Sequence, residues 1–155
     1  MDPSYVICEI DIRERNSREL SALYSQLTQA PVISPIQWQL FCKNQSPYTR
    51  WYGVLHKENN ALLGLATLIR EKKYIHGGAW VGHLEDVVLD ASLRGKGMGK
   101  RLVTFVVEQA RKLHCYKVMM HCNDHYIGFY KGCGFSEEGL NGMRFSLYDP
   151  DKMSF

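Results

Sequence analysis

Residues Arg94-Gly-Lys-Gly-Met-Gly-Lys100 set three glycines in alternate positions before an apolar pattern at helical spacing: Met98, Leu102, Phe105, Val106, Ala110 and Leu113. A helix opened by glycines lets the backbone come close to an anion, and its unpaired first-turn amides and positive dipole end face that anion. Arg94, Lys96 and Lys100 add charge, so the loop suits a diphosphate. The alternative is a flexible turn that merely starts a helix. Two familiar nucleotide sites are excluded. No Gly-Lys-Ser/Thr is present to hold a magnesium nucleotide, and Gly-x-Gly-x-Gly without a later acidic partner departs from the dinucleotide fingerprint.

The rest of the chain must supply a sheet for that helix. Tyr5 to Ile12 reads as a strand, and Asn16 to Gln29 as a helix capped by Asn16 or Ser17, with Leu20, Leu23, Tyr24 and Leu27 on one face. Pro31 and Pro35 break the chain before a second helix at Ile36 to Lys43. Tyr48 to His56, a turn at Glu58-Asn59-Asn60 and Leu62 to Arg70 form a hairpin. A polar hinge from Glu71 to Gly78 precedes a third antiparallel strand, Ala79 to Leu89. Beyond the glycine-opened helix come a strand at Tyr116 to Cys122, a short helix through Tyr130 behind the capping types Asn123 and Asp124, and a last strand near Met143 to Tyr148. The predicted order is β-α-α-β-β-β-α-β-α-β, a mixed α/β fold around one sheet without the strict alternation of a Rossmann fold. With 155 residues and no repeat or linker, residues 1–155 are expected to form one domain.

Composition excludes several classes. Apolar residues at 45% and charged residues at 23% are those of a globular protein, and a net charge of +3 gives no argument for a nucleic-acid or membrane-surface partner. Five cysteines, odd in number and without Cys-x-x-Cys spacing, disfavour a disulfide framework and point to a reducing compartment. The N-terminal run MDPSYVICEIDIRERNS becomes charged too early for a signal peptide, no apolar run approaches ~18 residues, and DKMSF is not a Ser-Lys-Leu address. A cytoplasmic location is expected.

Arg94-x-x-Gly97-x-Gly99, with the strand Leu84 to Leu89 before it and Gly128-Phe-Tyr-Lys-Gly-Cys-Gly-Phe135 after it, resembles the GCN5-related N-acetyltransferases (GNAT). Within them, Gly82-His-Leu-Glu-Asp-Val-Val88, Cys115-Tyr-Lys117, Lys73-Tyr-Ile-His76 and Met143-Arg-Phe145 resemble the glucosamine 6-phosphate N-acetyltransferase family. The resemblance implies the GNAT fold, a mixed central sheet flanked by helices. It also implies transfer of an acetyl group from acetyl-CoA to the amine of the sugar phosphate, as in UDP-N-acetylglucosamine biosynthesis, with no metal.

It further implies roles for particular residues. The pyrophosphate of acetyl-CoA would lie on Arg94, Gly95, Lys96, Gly97, Met98, Gly99 and Lys100, and pantetheine would pair with the backbone of Asp86, Val87, Val88 and Leu89 like an added strand. Asn123, Tyr130, Lys131 and Gly132 would complete the coenzyme site. Tyr130 would donate a proton to the departing thiolate; an aromatic that only packs a short helix is the alternative. Thr28, Lys73, His76, Tyr116, Lys117 and Arg144 would bind the sugar phosphate, Arg144 from a final strand that reaches the neighbouring subunit of a homodimer.

Glu85 and Asp86, assigned to catalysis and substrate, alternate on a strand, so at most one faces the core side. Where the family has an aspartate in a Leu-Asp-Cys run, this chain reads Met120-His121-Cys122. His121 is therefore either a base for the amine or a ligand to a sugar hydroxyl. A zinc site among His114, Cys115, His121, Cys122 and His125 is disfavoured, because strand neighbours face opposite ways and no second pair has finger spacing. Two other readings compete: a GNAT enzyme for another amine, and a catalytically silent acyl-CoA sensor.

Overall fold

β1 (Tyr5–Ile10) and β2 (Thr49–His56) pair antiparallel from Tyr5↔His56 to Ile10↔Trp51, and that alternation fixes which side chains share a face. In the computed structural model, which describes residues 4–152, β3 (Leu62–Lys72) and β4 (Trp80–Leu89) extend this antiparallel meander and β5 (Cys115–Met119) joins β4 in parallel. The sheet order is β1-β2-β3-β4-β5. The readings of Met1 to Pro3 and of Met153 to Phe155 lie outside the described residues.

A parallel neighbour needs a crossover, and α4 (Met98–Lys112) supplies it. Its Leu102, Val103, Val106 and Ala110 are fully buried on the sheet, and Phe105 meets the ring of Tyr52 edge-on at 5.8 Å. The next residue of β2, Trp51, packs instead on a cluster of Ile12, Leu20, Leu23, Leu55, Leu62, Leu65 and Val88 on the other face. That face is covered by α1 (Ser17–Tyr24), with Trp38 and Phe41 from α2 (Pro35–Lys43). Asn16 caps α1 through the Glu19 amide, and α2 starts with a reciprocal box between Ser34 and Gln37 followed by Pro35.

The mixed α/β sheet is as expected, but several boundaries are corrected. α1 ends at Tyr24 rather than Gln29, because the amides of Leu27 and Thr28 both turn back to the Tyr24 carbonyl and the Ser21 and Ser25 hydroxyls bond Ala30 O. The polar hinge holds a distorted turn, α3 (Ile75–Gly78), in which His76 and Gly77 take φ of 55° and 67°. β5 stops at Met119, so His121 and Cys122 are not strand neighbours. The last strand is absent: among the described residues 136–149 carry no regular element. Leu140, Met143, Phe145 and Leu147 there are 79–96% exposed, and a strand with no neighbour has nothing to satisfy its backbone.

The chain divides into two compact units between Met120 and His121, the second built around α5 (Ile127–Gly132). Among the described residues no helix is long and apolar enough to cross a membrane. Leu102, wholly buried between α4 and the sheet, should be a sensitive point of the first unit. Leu102→Ala is expected to lower unfolding free energy by about 2–5 kcal/mol, read from urea denaturation.

Candidate functional site

β4 keeps β3 as a neighbour over its whole length but loses β5 after His83↔Met119. Leu84 to Leu89 therefore present one backbone edge without a strand partner among the described residues. On the β3 side, Thr67 faces Glu85 and Leu65 faces Val88, so Asp86 and Val87 together oppose the single residue Ala66. Asp86 takes φ of 48° at this bulge, a conformation that aspartate tolerates better than most residues. Regular alternation would turn one carboxylate of Glu85-Asp86 inward; the bulge breaks it, and both are exposed. A splayed strand with unpaired amides and carbonyls can accept an extended amide-bearing ligand as an added strand.

The glycine loop follows at once. Gly95 and Gly97 take φ of 71° and 73°, whereas Gly99 lies in the first turn of α4 with no such demand. Gly97 is the N-cap residue and no side chain caps α4, leaving its first amides to an outside acceptor. A Cβ at Gly95 or Gly97 would meet nothing within 4 Å, so the space above the loop is open. Of the residues assigned to the coenzyme, Val88 and Met98 bury their side chains in the core at 4% exposure, so only their backbone can serve.

A residue the sequence did not single out ties this loop down. Gln26, in the turn after α1, donates to the Asp90 carboxylate at 2.8 Å and accepts from the Ala91 amide at 2.9 Å. Asp90 also accepts from the Ser92 amide and hydroxyl, and Arg94 Nε donates to Leu89 O at 3.1 Å. Hydrogen bonds from Ser92, then from Gln26, hold the Asp90 carboxyl below its ordinary range. Asp90 before Ala-Ser-Leu was a readable capping signal, whereas Gln26 lies 64 residues away and left none.

The residues assigned to the sugar phosphate separate into groups. His76 and Tyr116 stack at 5.2 Å, and Lys117 Nζ lies 5.8 Å from the Tyr116 ring centre. These three gather where α3 meets the start of β5. Lys73 is instead engaged by Glu71, which also bonds His83 Nε2 at 2.9 Å, and Lys73 followed by His83 holds the Glu71 carboxyl low. Thr28 is exposed in the turn after α1.

In the second unit, Tyr130 is half-buried on α5 between the edges of Phe129 at 4.9 Å and Phe135 at 5.8 Å. Burial first, then the neighbouring Cys122, Cys133 and Tyr126, push its phenol up to about 12. It stays a proton donor at neutral pH. Lys131 pairs with Glu137 at 2.5 Å, Gly132 closes α5, and Asn123 sits at the start of the 3-10 turn Asp124–Tyr126 without the capping bond its type suggests. His121 is exposed beside Gly142, where an added Cβ would come within 3.6 Å of the imidazole. Arg144 is exposed on irregular chain rather than on a strand. Among the described residues no three His, Cys, Asp or Glu side chains gather as a metal site.

The profile of the family described as "Acetyltransferase (GNAT) family" matches residues 11–135. A protein of Oryza sativa subsp. japonica named probable glucosamine 6-phosphate N-acetyltransferase 2 is 33% identical over 142 residues, 86% of each chain. The glucosamine 6-phosphate N-acetyltransferase of Trypanosoma brucei brucei is 33% identical over 83% of this chain and 90% of its own. The crystal structure of a Trypanosoma brucei acetyltransferase superposes with a TM-score of 0.82 at 28% identity, covering 92% of this chain and 99% of that one.

Two outcomes follow from the loop. Gly97→Val should strain the left-handed position by about 1–2 kcal/mol and weaken coenzyme A binding by at least about tenfold. Lys96→Ala should weaken it only mildly, both read by titration calorimetry. For Asp90, a depressed carboxyl pKa in the folded chain means its anchoring is complete above about pH 4 and fades as pH falls through the folded value. Gln26→Ala should lessen that acid sensitivity, measured as the pH dependence of thermal midpoint in the parent and the variant.

Proposed function

The chain belongs to the acetyltransferase (GNAT) family and is an acetyl-CoA-dependent N-acetyltransferase, and on that premise we propose that its acceptor is the amine of glucosamine 6-phosphate. The observation that carries this acceptor is the likeness, over most of the chain, to relatives from rice and trypanosome that bear that name. The aromatic and cationic group of His76, Tyr116 and Lys117 supports it, since a sugar phosphate needs both a flat apolar contact and positive charge.

Pantetheine pairs with the unpartnered edge of β4 and the pyrophosphate takes the first amides of α4. The neutral amine attacks the thioester carbonyl: a C–N bond forms, the C–S bond breaks, the nitrogen gives up a proton and the thiolate takes one. Tyr130, with its phenol at about 12, supplies the proton to sulfur. Glu85 and His121 are the candidates to receive the proton from nitrogen, His121 standing in the place of the family's aspartate. Lys73, Thr28 and Asp86 complete the acceptor site, Arg144 serves the phosphate of a partner subunit in a homodimer, and the enzyme works in the cytoplasm in amino-sugar nucleotide synthesis.

Thiol release from acetyl-CoA with glucosamine 6-phosphate against glucosamine tests the acceptor. Preference for the phosphorylated sugar is expected. Turnover of a polyamine or antibiotic amine instead would favour another GNAT acceptor, and coenzyme binding without turnover would favour a sensor. Tyr130→Phe should cut turnover by about 10²-fold or more while leaving acetyl-CoA affinity near that of the parent. Arg144→Ala should raise KM for the sugar phosphate far more than for acetyl-CoA. Mixed dimers of Arg144→Ala with Tyr130→Phe should regain about half of a parent dimer's activity, because one site then holds both intact residues; no recovery after subunit exchange rejects sharing.

A further inference from the structure

Two hydroxyls of the first unit are buried with nothing to bond. The Tyr24 phenol oxygen, in the last residue of α1, and Thr67 Oγ1, in the middle of β3, are both sealed from solvent without a hydrogen-bond partner. Arg50 and Arg70 also bury an unpartnered nitrogen, but each engages another of its nitrogens, with Glu9 and with Leu113 O. Thr67 is 4% exposed amid an otherwise apolar core. Leaving a buried hydroxyl unsatisfied is unfavourable, and Phe at 24 with Val at 67 would fill similar space without that cost.

The two groups share a place. Thr67 alternates with Leu65, so its side chain lies on the face that α1 covers. The Thr67 hydroxyl is near enough to stabilise a charge on the Tyr24 phenol, and the Asp86 carboxylate near enough to oppose one. Burial pushes the phenol up, so Tyr24 remains a donor. Thr67 is also the residue at which the β3–β4 register resumes after the bulge, and Asp86 is the bulged residue with φ of 48°.

We propose that the Tyr24 and Thr67 hydroxyls are positioning groups for the acceptor, forming a polar floor behind the β4 bulge that holds the Asp86 carboxylate toward the amine of the bound sugar phosphate. Their donor hydrogens are aimed by one bound water at the carboxylate, which in turn faces the substrate ammonium before it is deprotonated. Neither hydroxyl touches the reacting atoms. Phe and Val at these positions would give a quieter core and a looser Asp86, which explains why the unsatisfied hydroxyls stand there.

This inference rests on the amino-sugar-phosphate reading, so the parent is assayed first. A parent that does not acetylate glucosamine 6-phosphate refutes that reading, and the positioning test is then read on whichever amine is turned over; a parent that turns over none takes this inference down with it. Tyr24→Phe and Thr67→Val are compared with the parent by steady-state kinetics in both substrates and by thermal midpoint. The expected result is a kcat/KM for the sugar phosphate lower by about tenfold, an unchanged KM for acetyl-CoA, and a midpoint equal to or above the parent's. Thr67→Ser, which keeps the hydroxyl, should retain the parent's kinetics. Unchanged kinetics in Tyr24→Phe would overturn the proposal. So would a melting point well below the parent's in that variant, which would mean the phenol already has a structural partner, or equal losses in Thr67→Ser and Thr67→Val.

Discussion

β4 is held along its whole length by β3 but by β5 only over its first four residues, and that inequality organises the molecule. Had β5 continued beside β4, the backbone of Leu84 to Leu89 would be satisfied within the sheet and could offer nothing to a ligand. Because pairing stops at His83↔Met119, the sheet ends in an open edge immediately ahead of the turn into α4. The bulge at Asp86 and Val87 adds twist and reorients two carboxylates at the same place. The chain thus sets unpaired strand groups and unpaired helix amides next to each other, which is the chemistry an acyl-pantetheine diphosphate requires.

Such an edge needs rigid support, and it comes from two sides. α4 buries Leu102, Val103, Val106 and Ala110 completely, so the helix that points its amides at the ligand cannot shift without breaking the core. Gln26 reaches from the turn after α1 to both Asp90 and Ala91, joining the opposite face of the sheet to the start of the loop. The early end of α1 is what frees Gln26 for this contact, since Leu27 and Thr28 fold back on Tyr24 rather than extend the helix. Three of the loop's anchors, Gln26, Asp90 and Leu89 O, are thereby fixed by elements that bind no ligand themselves.

Local patterns carried most of the fold. The hairpin of β2 and β3, both α1 and α2 starts, and α4 with its glycines were legible because each is written in neighbouring residues: an apolar period, a cap, a turn. The bulge was not, because nothing in Leu84-Glu-Asp-Val tells that two residues will oppose the single Ala66; that depends on register with a strand twenty residues away. The strand near Met143 to Tyr148 was misread for the opposite reason. Its alternating apolar residues satisfy the local rule, yet strands exist by pairing, and the described residues give it no neighbour. In the site, the glycines, Asp86 and Tyr130 stood out by motif, whereas Gln26, Tyr24 and Thr67 matter only through contacts that sequence spacing does not encode.

The side chains assigned from motifs also divide by what the fold lets them do. Val88 and Met98 belong to the core, so whatever they give a ligand comes through the main chain, and substitutions that preserve their bulk should leave the edge and the first turn of α4 intact. Glu85 and Asp86 are exposed, and a change there acts on chemistry before it acts on packing. Thr67 stands between these cases, buried like the core yet polar like the site. A fold selected for stability alone would have resolved that conflict in favour of a methyl group. That it has not is the physical sign that the space behind the bulge belongs to the acceptor site as much as to the core.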